Sequence, residues 1–107
     1  MTDVVVALVT APTPEKAAEI AHTLIEERLA ACGNVVPGIR SIYRWEGKVQ
    51  DDAEALLVLK TELRLVPALK ARLPEIHPYQ VPEMLVLPVE DGLALYLEWV
   101  AASVRPG

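Results

Sequence analysis

The chain alternates β-branched runs with segments in which apolar residues have helical spacing. Residues 3–10 are nearly all apolar and rich in valine, a pattern that predicts a strand buried on both faces. Thr13 can then cap a helix whose first residue is Pro14. Apolar residues follow at i, i+3, i+4 and i+7 from Ala17. We therefore predict a strand over 3–10 and a helix from Pro14 to about residues 29–31.

The middle of the chain predicts a long β-hairpin. Residues 32–45 and 48–61 both have strand patterns, and a Glu-Gly pair at 46–47 supplies the turn, since glycine readily takes a positive φ. A Pro-Gly pair at 37–38 interrupts the first arm. Because proline cannot donate a ladder hydrogen bond, we expect a bulge or an edge there. Each arm exceeds the usual ~5–6 residues of a strand.

The last third predicts a helix over 62–73, a proline-punctuated loop and a strand over 83–89. Asp91 is placed to cap a final helix over 92–103. Its predicted shared face consists of Leu93, Leu97 and Val100, with Tyr96 beside them. This order predicts one α+β domain over 1–107, a ferredoxin-like split βαβ sandwich with a long central β-hairpin and a C-terminal helix.

The hairpin arms are longer than a core of this size can cover. Ile39, Ser41, Tyr43 and Trp45 alternate toward one face. Uncovered strand edges that carry large aromatic side chains favour association, so we predict a closed, symmetric homo-oligomer. A bulged hairpin that folds back on its own sheet is the alternative.

The amino-acid composition excludes several classes of protein. A chain of 107 residues with 52% hydrophobic residues is not disordered, and its net charge of −5 disfavours binding to nucleic acid or an anionic membrane. One cysteine excludes an intrachain disulfide and a zinc site of several thiolates. The lone thiol, the missing basic signal region and the short apolar runs predict a cytoplasmic protein.

Proline outnumbers glycine, nine to five. Because prolines reduce the entropy of the unfolded chain, we predict a melting temperature above the ~45–65 °C that is usual for mesophile domains. A thermal melt measures this directly.

The densest candidate chemistry lies in residues 77–83, His-Pro-Tyr-Gln-Val-Pro-Glu. His77 and Glu83 are possible ligands for copper, zinc or nickel, and with Tyr79 they could also perform acid–base work. The alternative is structural: His77 caps the preceding helix and Tyr79 packs.

Cys32 is the only soft ligand, and its alternative role is that of a small buried side chain. A nucleophilic pair of Cys32 with His77 lacks an orienting partner and an oxyanion motif, and no other catalytic motif is present, so we predict no enzyme activity.

Residues 43–48 mix aromatic and basic side chains. Such a segment can stack on nucleic acid, or it can form an interface with a neighbouring chain, and the negative net charge favours the interface.

Several segments together resemble the CutA family of divalent-cation tolerance proteins. They are residues 9–12 (VTAP), 27–34 (ERLAACGN), 37–38 (PG), 43–48 (YRWEGK), 60–61 (KT), 77–83 (HPYQVPE) and the region 96–99. The resemblance covers nearly the whole chain in order.

The resemblance implies a homotrimer of ferredoxin-like subunits, paired through their hairpins, that binds copper(II) and related divalent ions. It implies His77, Glu83 and Cys32 as metal ligands. It also implies a cleft between subunits lined by Tyr43, Trp45, Lys60 and Tyr79. The resemblance of that trimer to PII signalling proteins suggests an alternative, in which the cleft binds a small organic anion or a partner protein.

Three positions depart from the family pattern. Gly33 stands where a larger residue is usual, which is expected to loosen the start of that strand. Ile76 and Val9 stand where some relatives carry a histidine and a cysteine. Fewer nitrogen and sulfur ligands predict a weaker copper site.

Overall fold

The structure, a computed structural model, describes residues 1–106. The elements are β1 (Val4–Ala11), α1 (Pro14–Glu26), β2 (Cys32–Trp45), β3 (Lys48–Glu62), a 3-10 turn (Leu63–Leu65), α2 (Val66–Ile76), β4 (Leu85–Pro88) and α3 (Ala94–Ser103). The strands form one antiparallel sheet in the order β2-β3-β1-β4. The predicted α+β fold is confirmed. No helix in residues 1–106 is long and apolar enough to cross a membrane.

Helix α1 begins as predicted and ends earlier than predicted. The Thr13 hydroxyl accepts a hydrogen bond from the amide of Lys16 at 3.0 Å, and Pro14 is the first helical residue. At the other end Arg28 adopts a φ of 58°, which turns the chain out of the helix. The amide of Leu29 then bonds the carbonyl of Leu24 at 2.9 Å, which closes the helix in a Schellman-type turn.

The main core lies on one face of the sheet, beneath α1 and α2. Alternate residues of β1 and β3 are fully buried there, and Ile20, Leu24, Leu69 and Leu73 of the helices pack on them. On the opposite face of β1, Val4 is buried against Val100 and Val104 at the C-terminal end of the chain, whereas Val6, Leu8 and Thr10 are only half-buried. The prediction of a strand buried on both faces is therefore wrong beyond Val5. We call that opposite side of the sheet the open face, because neither α1 nor α2 covers it.

The C-terminal elements differ in extent from the predictions. Helix α2 starts at Val66 after the 3-10 turn and continues to Ile76, so it includes Pro74, which the sequence pattern assigns to the following loop. Near the end of a helix, proline removes one backbone hydrogen bond without ending the helix. Strand β4 covers only four residues, because its pairing with β1 is confined to Val5–Leu8.

The predicted cap of α3 is also wrong. Helix α3 starts at Ala94, and the Asp91 carboxylate accepts a hydrogen bond from the Gly92 amide at 2.8 Å instead of capping the helix. Leu93 is 82% exposed, so it does not join Val100 on a buried face.

The hairpin leaves the sheet as a two-stranded ribbon, residues 39–54. Only Ala55–Glu62 of β3 pair with β1, whereas residues 48–54 pair with β2 alone. The predicted bulge is confirmed between Val36 and Ile39, where Gly38 has a φ of 72°. The turn is also confirmed, with Glu46 and Gly47 both at positive φ. The protruding ribbon contributes to dimensions of 44 × 26 × 22 Å.

Candidate functional site

A cleft of about 770 Å³ lies where the ribbon leaves the sheet. The end of β1, the face of the ribbon and the loop that follows α2 enclose it. Its principal side chains are those of Tyr43, Trp45, Glu54, Tyr79, Gln80 and Glu83.

The strand register places aromatic and acidic residues on the same face of the ribbon. Tyr43 lies opposite Gln50 and Ser41 opposite Asp52, so Tyr43 and Asp52 are diagonal neighbours. The Tyr43 hydroxyl donates a hydrogen bond to the Asp52 carboxylate at 2.6 Å. The register also confirms the predicted alternation of Ile39, Ser41, Tyr43 and Trp45 toward one face.

His77 fixes the loop that completes the cleft. The ring is 7% exposed, and its Nε2 donates a hydrogen bond to the carbonyl of Thr10 at 2.8 Å. Nδ1 accepts a hydrogen bond from the backbone amide of Tyr79 at 3.1 Å. Both ring nitrogens are therefore engaged within the chain, and their bonds set the direction in which the Tyr79 side chain enters the cleft.

The charge of the cleft comes from carboxylates. The Tyr79 hydroxyl donates a hydrogen bond to Glu54; burial, and then this hydrogen bond, raise the pKa of Tyr79 well above its usual value. The hydrogen bond to Asp52, followed by burial, raises the pKa of Tyr43 as well. Both phenols therefore stay neutral at physiological pH. Among the described residues no lysine or arginine lines the cleft.

Cys32 and Lys60 lie together at the other end of the open face. The Lys60 ammonium is 3.9 Å from the Cys32 sulfur and donates a hydrogen bond to Asn34. Lys60 lies six positions after Glu54 in β3, a distance of about 20 Å along a strand. Of the four side chains predicted to line a cleft, the structure brings Tyr43, Trp45 and Tyr79 together and places Lys60 elsewhere.

The three predicted metal ligands are likewise separated. Cys32 of β2 pairs with Lys60 of β3, which pairs with Val6 of β1, so Cys32 lies level with Val6. His77 bonds Thr10, which is four residues or about 13 Å farther along β1. Metal–ligand bonds are about 2.0–2.3 Å long, so Cys32 and His77 of one chain cannot share an ion. Glu83 lines the cleft. Within residues 1–106, no three His, Cys, Asp or Glu side chains are grouped to hold a metal.

Sequence reasoning missed Glu54 and Asp52 as site residues. They alternate on β3 in phase with Gln50, which pairs with Tyr43. Once the turn at 46–47 is assigned, counting outward from the Trp45–Lys48 pair gives this register directly. The signal was therefore present in the sequence.

These observations define a class: a small α+β domain with an acidic, aromatic cleft as its candidate site. The chain belongs to the CutA1 divalent ion tolerance protein family, whose model matches residues 5–103.

Known relatives agree with that assignment over most of the chain. The "Divalent-cation tolerance protein CutA" of Thermus thermophilus is 52% identical over 95 residues, which are 89% of this chain and 92% of that protein. "Protein CutA 1, chloroplastic" of Oryza sativa is 48% identical over 94% of this chain, which spans only 57% of that protein. The crystal structure of CutA1 from Oryza sativa superposes with a TM-score of 0.93 at 46% identity, covering 99% of this chain and 97% of that one.

Proposed function

We propose that this protein is a homotrimer that binds divalent cations, with copper(II) preferred, and contributes to their tolerance without catalysis of its own. The observation that carries the proposal is the charge of the cleft: it contains the carboxylates of Glu54 and Glu83 and no lysine or arginine among the residues described. Family membership supplies the link to divalent ions.

The open face supports self-association. Leu85 and Leu87 of the edge strand β4 are exposed on this face. Ile42 and Val49 are exposed on the opposite face of the ribbon. A lone chain would leave this apolar surface and two strand edges in water, which favours aggregation. A closed symmetric assembly covers both, and the family resemblance indicates three copies.

Copper preference follows from general coordination chemistry, because the affinity of a given nitrogen, oxygen or sulfur site rises toward Cu²⁺ across the divalent series. We propose Glu83 and Glu54 as oxygen ligands in the cleft. His77 and Cys32 remain predicted ligands. His77 would have to give up one internal hydrogen bond, and Cys32 would have to act at a separate site or with groups from another copy.

A calorimetric titration of the metal-stripped protein with copper(II) tests the metal site. We expect saturable binding, weakened about tenfold or more in Glu83→Gln and in Glu54→Gln, because each change removes a charged ligand. Glu90→Gln, at an exposed position outside the cleft lining, is the matched control. Heat that does not saturate would refute the metal site.

Electron paramagnetic resonance of the copper-loaded protein separates the predicted ligands. Nitrogen hyperfine coupling that disappears in His77→Ala would establish His77 as a ligand. A spectrum without nitrogen coupling would restrict His77 to positioning Tyr79. Unchanged copper affinity in Cys32→Ser would remove the thiol from the ligand set.

Sedimentation equilibrium tests the assembly. A trimer of the 11.7 kDa chain has a mass of about 35 kDa, and Leu87→Asp should shift it toward monomer by placing a charge on the open face. A parent protein that sediments as a monomer would contradict the trimer.

The PII-like alternative places an anion or a partner protein in the cleft. The structure offers it little support, because neither Lys60 nor any other lysine or arginine among the described residues lines the cleft. A thermal-shift screen of organic anions distinguishes it, because a ligand that binds only the folded state raises the melting temperature. The cytoplasmic location also stays a prediction, since two relatives are described as chloroplastic.

A further inference from the structure

The cleft is much larger than a bare metal ion requires. Pockets of ~300–1,000 Å³ hold small organic molecules, and this one measures about 770 Å³. An ion bound at about 2 Å from Glu54 or Glu83 would occupy a small part of that space. The remaining volume is suited to a ligand with several non-hydrogen atoms.

Three aromatic side chains line the cleft, although metal binding does not require them. Tyr43, Trp45 and Tyr79 all line it, and Trp45 is 42% exposed. Among the residues described, Trp45 stacks on no other ring; the close ring pairs are His77 with Tyr79 and Tyr96 with Trp99. An uncovered indole beside carboxylates is the arrangement that attracts organic cations, through the negative potential of the ring face.

The two faces of the ribbon treat their carboxylates differently. On the face away from the cleft, Asp51 is neutralised by a two-bond ion pair with Arg40, at 2.7 and 2.8 Å. On the cleft face, Asp52 and Glu54 accept hydrogen bonds from tyrosine hydroxyls, which stay neutral. Lys48 shares that face at the tip of the ribbon but does not line the cleft. Within the described residues of one chain, the negative charge of the cleft is therefore left unbalanced.

We propose that the cleft binds an organic ammonium cation, with the alkylated ammonium group held between Trp45 and the tyrosine rings and its charge balanced by Glu54. This inference shares the negative cleft with the proposed function but does not depend on metal binding. Neutral Tyr79 and Tyr43 hold the carboxylates in place.

Choline and its uncharged isostere 3,3-dimethylbutan-1-ol provide the test, because they share a shape and differ in charge. Each is titrated calorimetrically into the full chain after treatment with a chelator. We expect choline to bind saturably and the alcohol to bind at least about tenfold more weakly. Trp45→Ala and Glu54→Gln should each weaken choline binding about tenfold, whereas Trp45→Phe should retain most of it.

Trp99→Phe is the matched control, because Trp99 lies outside the cleft lining and its loss leaves Trp45 as the only indole. In that background, choline should change the emission of Trp45. Thermal melts establish that each variant is folded.

Equal binding of the alcohol, unchanged binding in Trp45→Ala, or no saturable choline signal would each overturn the inference. The copper titration of the parent protein is scored separately. Copper binding without choline binding refutes this inference alone, and choline binding without copper binding refutes the proposed metal site alone.

Discussion

Strand β3 passes through two different environments. From Ala55 to Thr61 every second residue is fully buried between β1, β2 and the helices. From Lys48 to Glu54 the same strand has only β2 beside it, and most of its side chains are exposed. The backbone conformation is continuous, so the difference arises entirely from what lies beside the strand.

The two halves of β3 therefore serve different purposes. The inner half carries Leu57 and Leu59, whose burial supplies hydrophobic free energy to the fold. The outer half carries Asp52 and Glu54, which contribute to the cleft and not to the core. Stability and ligand recognition are therefore separated along one strand, and substitutions can probe each half independently.

The largest expected effect is in the inner half. Leu57→Ala removes a fully buried side chain and leaves a cavity, so we expect a loss of about 2–5 kcal/mol in the free energy of unfolding. Urea unfolding followed by circular dichroism measures it. Val49→Ala, at 64% exposure in the outer half, is the matched control and should cost less than about 0.5 kcal/mol in a free chain.

A large loss of unfolding free energy in Val49→Ala would contradict the view that the outer half of β3 is exposed. It would mean that another copy of the chain covers the ribbon in solution, and the cost would then depend on protein concentration. An equal cost at every concentration would contradict the separation of the two halves.

Most of the fold could be predicted because its signals are local. The ends of β2, the start of β3 and the Pro-Gly bulge follow from alternation and from the restricted chemistry of proline and glycine. The end of α1 could not, because Arg28 takes the left-handed conformation that usually indicates glycine. The start of α3 was missed because Asp91 is used in the loop and the helix has no side-chain cap.

The site was harder to predict because it depends on distances between elements. Residues 77–83 were identified from their density of chemistry, yet His77 turned inward to bond Thr10. Lys60 and Glu54 share a strand phase, and only their separation along β3 puts one in the cleft and the other beside Cys32. Residue types alone do not carry that information.

Gly33 tests how closely α1 packs on the inner half of the sheet. A Cβ added there would lie 3.0 Å from the Cβ of Ala21 and 3.2 Å from Leu57, so Gly33→Ala should cost about 1–3 kcal/mol of stability. Gly92→Ala is the control, because its nearest neighbour is the end of the Leu97 side chain at 3.2 Å. Equal costs in urea unfolding would show that α1 can shift to accept a methyl group.

His77 connects the cleft to the sheet, since its side chain bonds both the loop at 77–83 and the end of β1. His77→Ala leaves the Thr10 carbonyl and the Tyr79 amide without their partner, which should cost about 1–3 kcal/mol. Hydrogen exchange across residues 77–83 should also accelerate. His22→Ala, at an exposed position on α1, should change neither quantity. Unaltered exchange in His77→Ala would show that the prolines alone hold the loop.

The smallest expected effect lies on the helical side of the core, where Arg72 of α2 forms two hydrogen bonds of 2.8 Å with Glu27. The Arg72 guanidinium lowers the pKa of Glu27 below its usual 4.5. The stability that this ion pair contributes is fully present at pH values above the usual pKa of Glu27. It is lost as the pH falls through the lowered pKa of the folded protein.

Glu27→Gln should therefore be less stable than the parent at pH 7, and the difference should shrink as the pH falls below 4.5. Both side chains are partly exposed, so added salt should reduce the difference as well. Urea unfolding of parent, Glu27→Gln and the neighbouring control Glu26→Gln between pH 3 and pH 7 measures it. A difference that stays constant with pH would assign the effect to packing between α1 and α2, and not to the charge of Glu27.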